Sequence, residues 1–231
     1  MILATWNCCR GAYEKKVPLL AHLSPDVAVV PECARPFAES ETSLWFGDNP
    51  RQGVAVAASG DYRLRALPTK SRVPKFVVPV QVLGPEPFIL FAVWTKANQR
   101  YRYVTAAIKG LARYRHLFTE GPVVVMGDLN TNLIWDDHHP PGENHSALIS
   151  LMDKLGLVSA YHQFFGEPQG RETRPTTYLL WKRERPYHID YCFVPKSWAS
   201  RITRVEVGGY EDWQHHSDHR PLVVEVSASA A

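Results

Sequence analysis

Between His215 and Leu222 the sequence reads HHSDHRPL, three histidines and an aspartate set immediately before an apolar run. The same punctuation recurs elsewhere. Asn7 closes MILATWN, Glu32 closes DVAVVPE, Asp128 and Asn130 fall in GDLN after VVVM, and Asp190 opens DYCFV. A carboxylate ending a buried run is costly unless something compensates it, and a divalent cation is the simplest compensation. Oxygen ligands with retained waters suit Mg2+ or Mn2+, and such an ion would let carboxylates meet an anionic phosphodiester. An imidazole backed by an acid can donate to a phosphate and manage a proton near neutral pH. Blander readings stand beside these: Gly, Asp and Asn also favour turns, Glu32 could be a solvated strand end, and His215 and His216 read as loop residues. His215, His216 and His219 could instead hold zinc, although the oxygen-rich set favours a harder ion. On extended backbone Asp128 and Asn130 project to one side and can serve one ligand, whereas the adjacent Asp218 and His219 diverge toward different partners.

Such residues need elements that hold them. Nine apolar, β-branched-rich runs have strand length and end at Gly, Pro, Asp or Asn: MILATWN, DVAVVPE, GVAVAAS, KFVVPVQVL, FILFAVW, VVVMGDLN, IDYCFVP, RITRVEV and PLVVEVS. Val104, Ala107, Ile108, Leu111, Tyr114 and Phe118 keep a helical period, which predicts a helix from about Arg100 to Thr119. Asn144 is a suitable N-cap for a helix with an apolar face of Leu148, Leu151, Met152 and Leu155, closed by Gly156. A further helix is expected over Lys15 to Leu23, with Pro18 in its first turn. Many strands and few helices, without strict βαβ alternation, predict an α/β (α+β) protein of two packed sheets covered outside by helices.

The chain has 231 residues, of which 45% are hydrophobic and 21% charged, enough for a large core. No linker or internal repeat divides it, so a single domain over 1–226 is expected, followed by a flexible tail, 227–231. No segment reads as a signal h-region or a membrane span, and the four cysteines form neither a disulfide framework nor a zinc pattern. A cytoplasmic protein with reduced thiols, no membrane association and no obligate protein partner is expected. Cys8 and Cys33 each follow a candidate site residue, and would lie close together, unbonded, if their strands are neighbours. The net charge of +3 is mild, but Arg63, Arg65, Lys70, Arg72 and Lys75 cluster in one segment and Lys182, Arg183 and Arg185 in another.

Taken together, Trp6-Asn7, Pro31-Glu32, GDLN, IDY at Ile189 to Tyr191 and SDH at Ser217 to His219 resemble, in order and approximate spacing, the endonuclease/exonuclease/phosphatase superfamily. The chain looks like a compact member, and the resemblance spans nearly all of it. It implies a four-layered αββα sandwich, two mixed β-sheets face to face with helices outside, carrying a metal-dependent phosphoesterase site at one end of the sheets. It further implies that Glu32 is the principal ligand of Mg2+ or Mn2+, with Asn7 and Asp218 close to the ion or its waters. By the same resemblance Asp128 orients or deprotonates the attacking water, and Asn130 holds water or phosphate. Asp190 orients His219, which contacts the phosphate and shares with Asp128 the candidacy for base. Trp94 stands where many members have His or Tyr, and an indole can donate to substrate but cannot act as a base.

Three substrate readings remain open: nucleic acid, DNA or RNA; a small-molecule or lipid-headgroup phosphoester; and a binding module without turnover. Nucleic acid fits the basic clusters and the aromatics Trp45, Tyr178 and Trp181. In TTYLLWKRERPYHID, a strand containing Tyr178 to Trp181 would run antiparallel to the Asp190 strand, leaving Lys182, Arg183 and Arg185 on the connecting loop as phosphate contacts.

Overall fold

The computed structural model describes residues 1–69, 74–97 and 102–228. Its strands are β1 (Ile2–Thr5), β2 (Val27–Cys33), β3 (Ser43–Asn49), β4 (Gln52–Ala58), β5 (Arg63–Ala66), β6 (Val77–Leu83) and β7 (Phe88–Trp94). The chain continues with β8 (Val123–Asp128), β9 (Leu157–Ser159), β10 (Thr177–Tyr178), β11 (Pro186–Tyr187), β12 (Asp190–Pro195), β13 (Ile202–Val207) and β14 (Leu222–Val226). One six-stranded sheet has the order β13-β14-β1-β2-β4-β3, the other β5-β6-β7-β8-β12-β9, and β10 and β11 form a separate hairpin. Both large sheets are mixed. β1 runs parallel to β2 and β7 parallel to β8, while the other neighbours are antiparallel.

The period of two along each strand accounts for the layering. Val27 and Val29 of β2 enter a core shared with Val80, Val82, Leu90 and Met126 of the opposite sheet, so the sheets pack face to face. Ala28 and Val30, one residue out of phase, face outward onto Leu20 and Trp213. In the second sheet, Leu90 and Ala92 point inward while Phe91 and Val93 meet Val104, Leu111 and Leu148. Strands buried on both faces explain the near-continuous apolar runs. The outer layers are α1 (Tyr13–Lys16) with a 3-10 helix over Val17–Leu23, then α2 (Tyr103–Arg113), α3 (His145–Lys154), α4 (Ala160–Phe165) and α5 (Tyr210–Trp213). The result is the four-layered αββα sandwich expected from the sequence.

Local differences have identifiable causes. The expected first helix is one α turn that tightens to 3-10 geometry where Pro18 enters, since proline supplies no amide hydrogen. The start expected for the second, at Arg100, lies outside the described residues, and its final part, Arg115–Thr119, is also 3-10. α3 follows expectation: the Asn144 side chain accepts from the Ala147 amide at 3.0 Å, and Gly156 takes a positive φ just beyond the last turn. The tail's last three residues, and Lys70 and Arg72 of the first basic cluster, lie outside the described residues. Among the described residues no helix is long and apolar enough to cross a membrane.

The sheets bring the candidate residues to one end. β1 leads directly into Asn7, β8 ends at Asp128, and β12, running the other way, begins at Asp190. Asp128 is in register with Asp190 on one side and Trp94 on the other. Gly127 makes this close pairing possible: at its φ of 144°, an added Cβ would lie 1.9 Å from the Val93 carbonyl oxygen.

Candidate active site

Asn7 joins the two sheets. Its Nδ2 donates to Asp128 Oδ2 at 2.8 Å and to Glu32 Oε1 at 3.2 Å, while its Oδ1 accepts from the Cys9 amide at 3.0 Å. Glu32 occupies a register shift between Pro31 and Cys33, with φ of 62°, left-handed backbone that a non-glycine residue adopts at a cost on the order of 1–3 kcal/mol. The kink turns the Glu32 carboxylate out of the strand, and Gln52 Nε2 holds its second oxygen at 2.8 Å.

In the second sheet, Asp128 is buried and its Oδ1 accepts from the Asn130 amide at 2.9 Å. The chain therefore turns after Asp128, with Asn130 at φ of 48° rather than on an extended segment, because the carboxylate captures the amide two residues on. Asn130 Nδ2 donates to the Thr95 carbonyl at 3.3 Å and still lines the cleft. Burial first, and the neighbouring Asp190 carboxylate second, push the Asp128 carboxyl up to about 7.

His219 Nδ1 and Asp190 Oδ2 lie 2.8 Å apart, so Nε2 is the ring nitrogen that Asp190 does not engage. Burial alone would favour the neutral ring, but Asp190, assisted by Asp128 and Asp218, outweighs it and holds His219 above the ordinary imidazole range. Its backbone is fixed by Ser217, whose hydroxyl accepts from the His219 amide at 2.9 Å and donates to the Asn7 carbonyl at 2.7 Å. Asp218 is half-buried. It lies beside Cys9, whose thiol is pushed up to about 12 by burial, then by Asp218, and further by Glu32.

The donor chemistry fits a hard divalent cation. Ligand atoms of Asp128, Asp190 and His219 lie within 4.8 Å of one another, but Asp190 and His219 are spent on each other. The charges of Asp190, Asp128 and Asp218 all act on the one His219 imidazole, Glu32 is joined to Asp128 through Asn7, and buried Asp190 Oδ1 has no partner. The surplus of negative charge is what a cation would relieve. Glu32 is the carboxylate that faces an open cleft of about 280 Å3, lined also by Arg10, Gln52, Trp94, Lys96 and Asn130.

Trp94 is buried, stacks on Phe76 at 5.6 Å, and carries the Lys96 ammonium 4.1 Å from its ring centroid. Sharing Ala97, Tyr103 and Asn130 with the polar cleft is an apolar one of about 530 Å3, walled by Trp135, Leu179, Tyr187 and Ile189. The expected hairpin exists but is shorter. β10 pairs with β11 rather than with the Asp190 strand, and Leu179–Trp181 forms a 3-10 turn in which Leu180 and Trp181 have positive φ. Trp181, Lys182, Arg183 and Arg185 are exposed on this loop, while Tyr178 is half-buried at its root. Trp45 is a core residue instead of a stacking platform, its indole donating to the Cys33 carbonyl at 3.0 Å. Cys8 and Cys33 do lie close together as buried free thiols. His215 is exposed and His216 half-buried in their loop, apart from the acidic centre.

Sequence reasoning missed Gln52, Arg10, Lys96, Thr95 and Ser217. Only Ser217 had a signal, its place in SDH; the others reach the site through cross-strand register or loop shape.

A comparison with curated protein sequences found no match. Solved structures do share the fold. A 3′ phosphatase, NExo, from Neisseria, bound to a product DNA hairpin, superposes with a TM-score of 0.73 at 17% identity, covering 99% of this chain and 100% of that one. An AP endonuclease from Archaeoglobus fulgidus gives 0.64 at 17% identity, with 99% and 100% covered. AP endonuclease LMAP from Leishmania major gives 0.69 at 14% identity, with 99% and 88% covered. The Endonuclease/Exonuclease/phosphatase family model matches residues 4–219, from within β1 through His219, and the chain belongs to that family.

Proposed function

We propose that the protein is a divalent-metal-dependent phosphodiesterase that hydrolyses nucleic acid, with Mg2+ or Mn2+ as cofactor. The observation that carries this reading is the hydrogen-bonded Glu32–Asn7–Asp128 chain set beside the Asp190–His219 pair, opening on a cleft edged by Arg10 and Lys96. The adjoining apolar cleft suits a base or sugar, and the exposed basic loop suits a phosphate backbone. The fold-sharing Neisseria protein is bound to DNA, which agrees with a nucleic-acid substrate. Four free cysteines favour a reducing compartment, and a cytoplasmic location is part of the proposal.

Glu32, with Asn7 and Asp218 nearby, would hold the ion, which when bound supplies charge neutralisation of the phosphate. Asp128, with a carboxyl near 7, accepts a proton from the attacking water as the new P–O bond forms and the ester P–O bond breaks, and the departing ester oxygen takes its proton from solvent water to leave as the alcohol. His219 already carries its proton, so it serves as donor to a phosphoryl oxygen through Nε2 and not as the base. Asp190 fixes its tautomer and orientation. Asn130 and Trp94 face the substrate from the cleft, and Tyr178 and Trp181, with Lys182, Arg183 and Arg185, provide stacking and phosphate contacts along the hairpin.

The test is a panel of single- and double-stranded DNA, RNA and a small phosphodiester, each with Mg2+, Mn2+ or EDTA. Degradation of a polymer that EDTA abolishes supports the reading. An inert polymer beside a hydrolysed small phosphoester overturns the substrate assignment, and binding without any turnover overturns the enzyme assignment.

A further inference from the structure

Arg220 directly follows the catalytic histidine, yet its side chain is turned away from the acidic centre. It is 1% exposed, and among the described residues no carboxylate pairs with it. Its NH1 donates to the carbonyls of Ser217 at 2.8 Å and His219 at 3.1 Å, while its Nε has no partner. A buried guanidinium needs compensation, and here it comes from aromatic faces. Its Cζ lies 4.8 Å from the ring centroids of both Tyr178 and Tyr210, which themselves pack edge to face at 4.6 Å. Tyr178 belongs to the hairpin root and Tyr210 to α5. Out on the hairpin loop, Arg183 packs 4.9 Å from the same Tyr210 ring and pairs with Glu211 at 3.0 Å.

The backbone repeats the connection. Thr177 bridges His219, the Tyr178 amide donates to the Asp218 carbonyl at 2.7 Å, and the Arg220 amide donates to the Thr176 carbonyl at 2.7 Å. Residues 218–220 thus act as a third strand for the hairpin. We infer that Arg220 is a positioning residue that clamps the basic hairpin to the Asp218–His219 segment, through a cluster in which it shares Tyr178 and Tyr210. The clamp makes a rigid unit of the loop that grips the polymer and the residues that meet its phosphate. Binding energy gathered on the loop is then delivered as orientation at the scissile bond. This inference takes the nucleic-acid reading as its functional context, although the clamp itself is testable without it.

Two variants separate the clamp from a merely structural arginine. Arg220→Lys keeps the charge and loses the planar stacking surface, and Tyr210→Leu removes one ring without touching the acidic centre. The first measurement is trypsin cleavage after Lys182 or Arg183 in the folded protein, with melting temperature recorded alongside. Loss of one desolvated cation–ring contact should speed that cleavage roughly tenfold in each variant. The second is steady-state kinetics, where KM for single-stranded DNA should rise by a similar factor while turnover of a small phosphodiester by Tyr210→Leu stays at the wild-type value. Unchanged loop cleavage in Tyr210→Leu overturns the clamp, and so does an equal fall on polymer and small diester. If Arg220→Lys fails to fold, Tyr210→Leu alone decides. Wild-type protein inert toward every polymer would overturn the nucleic-acid reading, and the cleavage rates would still decide the clamp.

Discussion

Asp128→Asn should abolish activity and, in the absence of metal, make the fold relatively more stable as pH rises. The Asp128 carboxyl sits at about 7 in the folded protein against 3.8 ordinarily, because burial and Asp190 disfavour its charge. A group raised in the folded state stabilises it fully below the ordinary value, and that contribution disappears as pH climbs through the folded one. Roughly three pKa units correspond to a ceiling of about 4 kcal/mol withdrawn from the wild-type protein between pH 4 and 8. Asparagine carries no such charge and escapes the withdrawal. It brings a separate, pH-independent penalty, since both Asp128 oxygens accept from amide donors, Asn7 Nδ2 and the Asn130 N–H, and one would meet an opposing NH2. That conflict is worth about 1–3 kcal/mol. Melting both proteins in EDTA at pH 4.5 and pH 8 removes the constant part. The difference in melting temperature, variant minus wild type, should increase by up to roughly 8–16 °C at the higher pH for a chain this long. Saturating Mg2+ should shrink the change, because a cation relieves the same charge. A difference that does not vary with pH would refute the idea that Asp128 holds strained charge, and with it the basis for assigning it as the base.

Asp190→Asn should let His219 fall toward its ordinary range, so activity should decline as pH rises past about 6.5 where the wild-type protein keeps its imidazolium; identical pH–rate profiles would count against the pair. Replacing Lys182, Arg183 and Arg185 together with Ala should weaken binding of a polynucleotide and flatten its salt dependence by up to about three phosphate contacts, while sparing a small diester. Because Arg183 already pairs with Glu211 and packs on Tyr210, its single replacement should alter the salt slope less than that of Lys182 or Arg185. Activity should not respond to mild reductant, since Cys8 and Cys33 are buried thiols rather than a bond, and mass spectrometry of alkylated protein should find all four cysteines free.

What the sequence revealed, and what it hid, follows from the range of the interactions. Strands such as FILFAVW were readable because burial on both faces demands continuous apolar residues. Asp128, Asp190 and His219 were readable as polar residues interrupting that demand. Asn130 lines the cleft, but on turned rather than extended backbone, since a side chain capturing an amide two residues on competes with strand extension. Gln52 was invisible: it reaches Glu32 only because β2 and β4 pair antiparallel across a bulge. The hairpin was overextended because Leu179, Leu180 and Trp181 look like a strand, whereas φ of 57° and 63° at the last two turns the chain there. Trp45 looked like a stacking surface until a cross-strand carbonyl claimed its indole.

The first strand of the chain lies between β2 and β14, and the Trp6 indole donates to the His219 carbonyl across 213 residues of sequence. Such pairings carry the largest loop-closure entropy in the molecule, which makes them late events in folding. As the chain is synthesised from its N-terminus, β1 must wait for its β14 neighbour until the segment through Val226 has emerged. Asn7, Glu32 and Asp128 can gather earlier, but Asp218 and His219 arrive last, in the segment just ahead of β14. The candidate site is thus incomplete throughout synthesis of the body of the protein, and it is assembled only when the fold has closed.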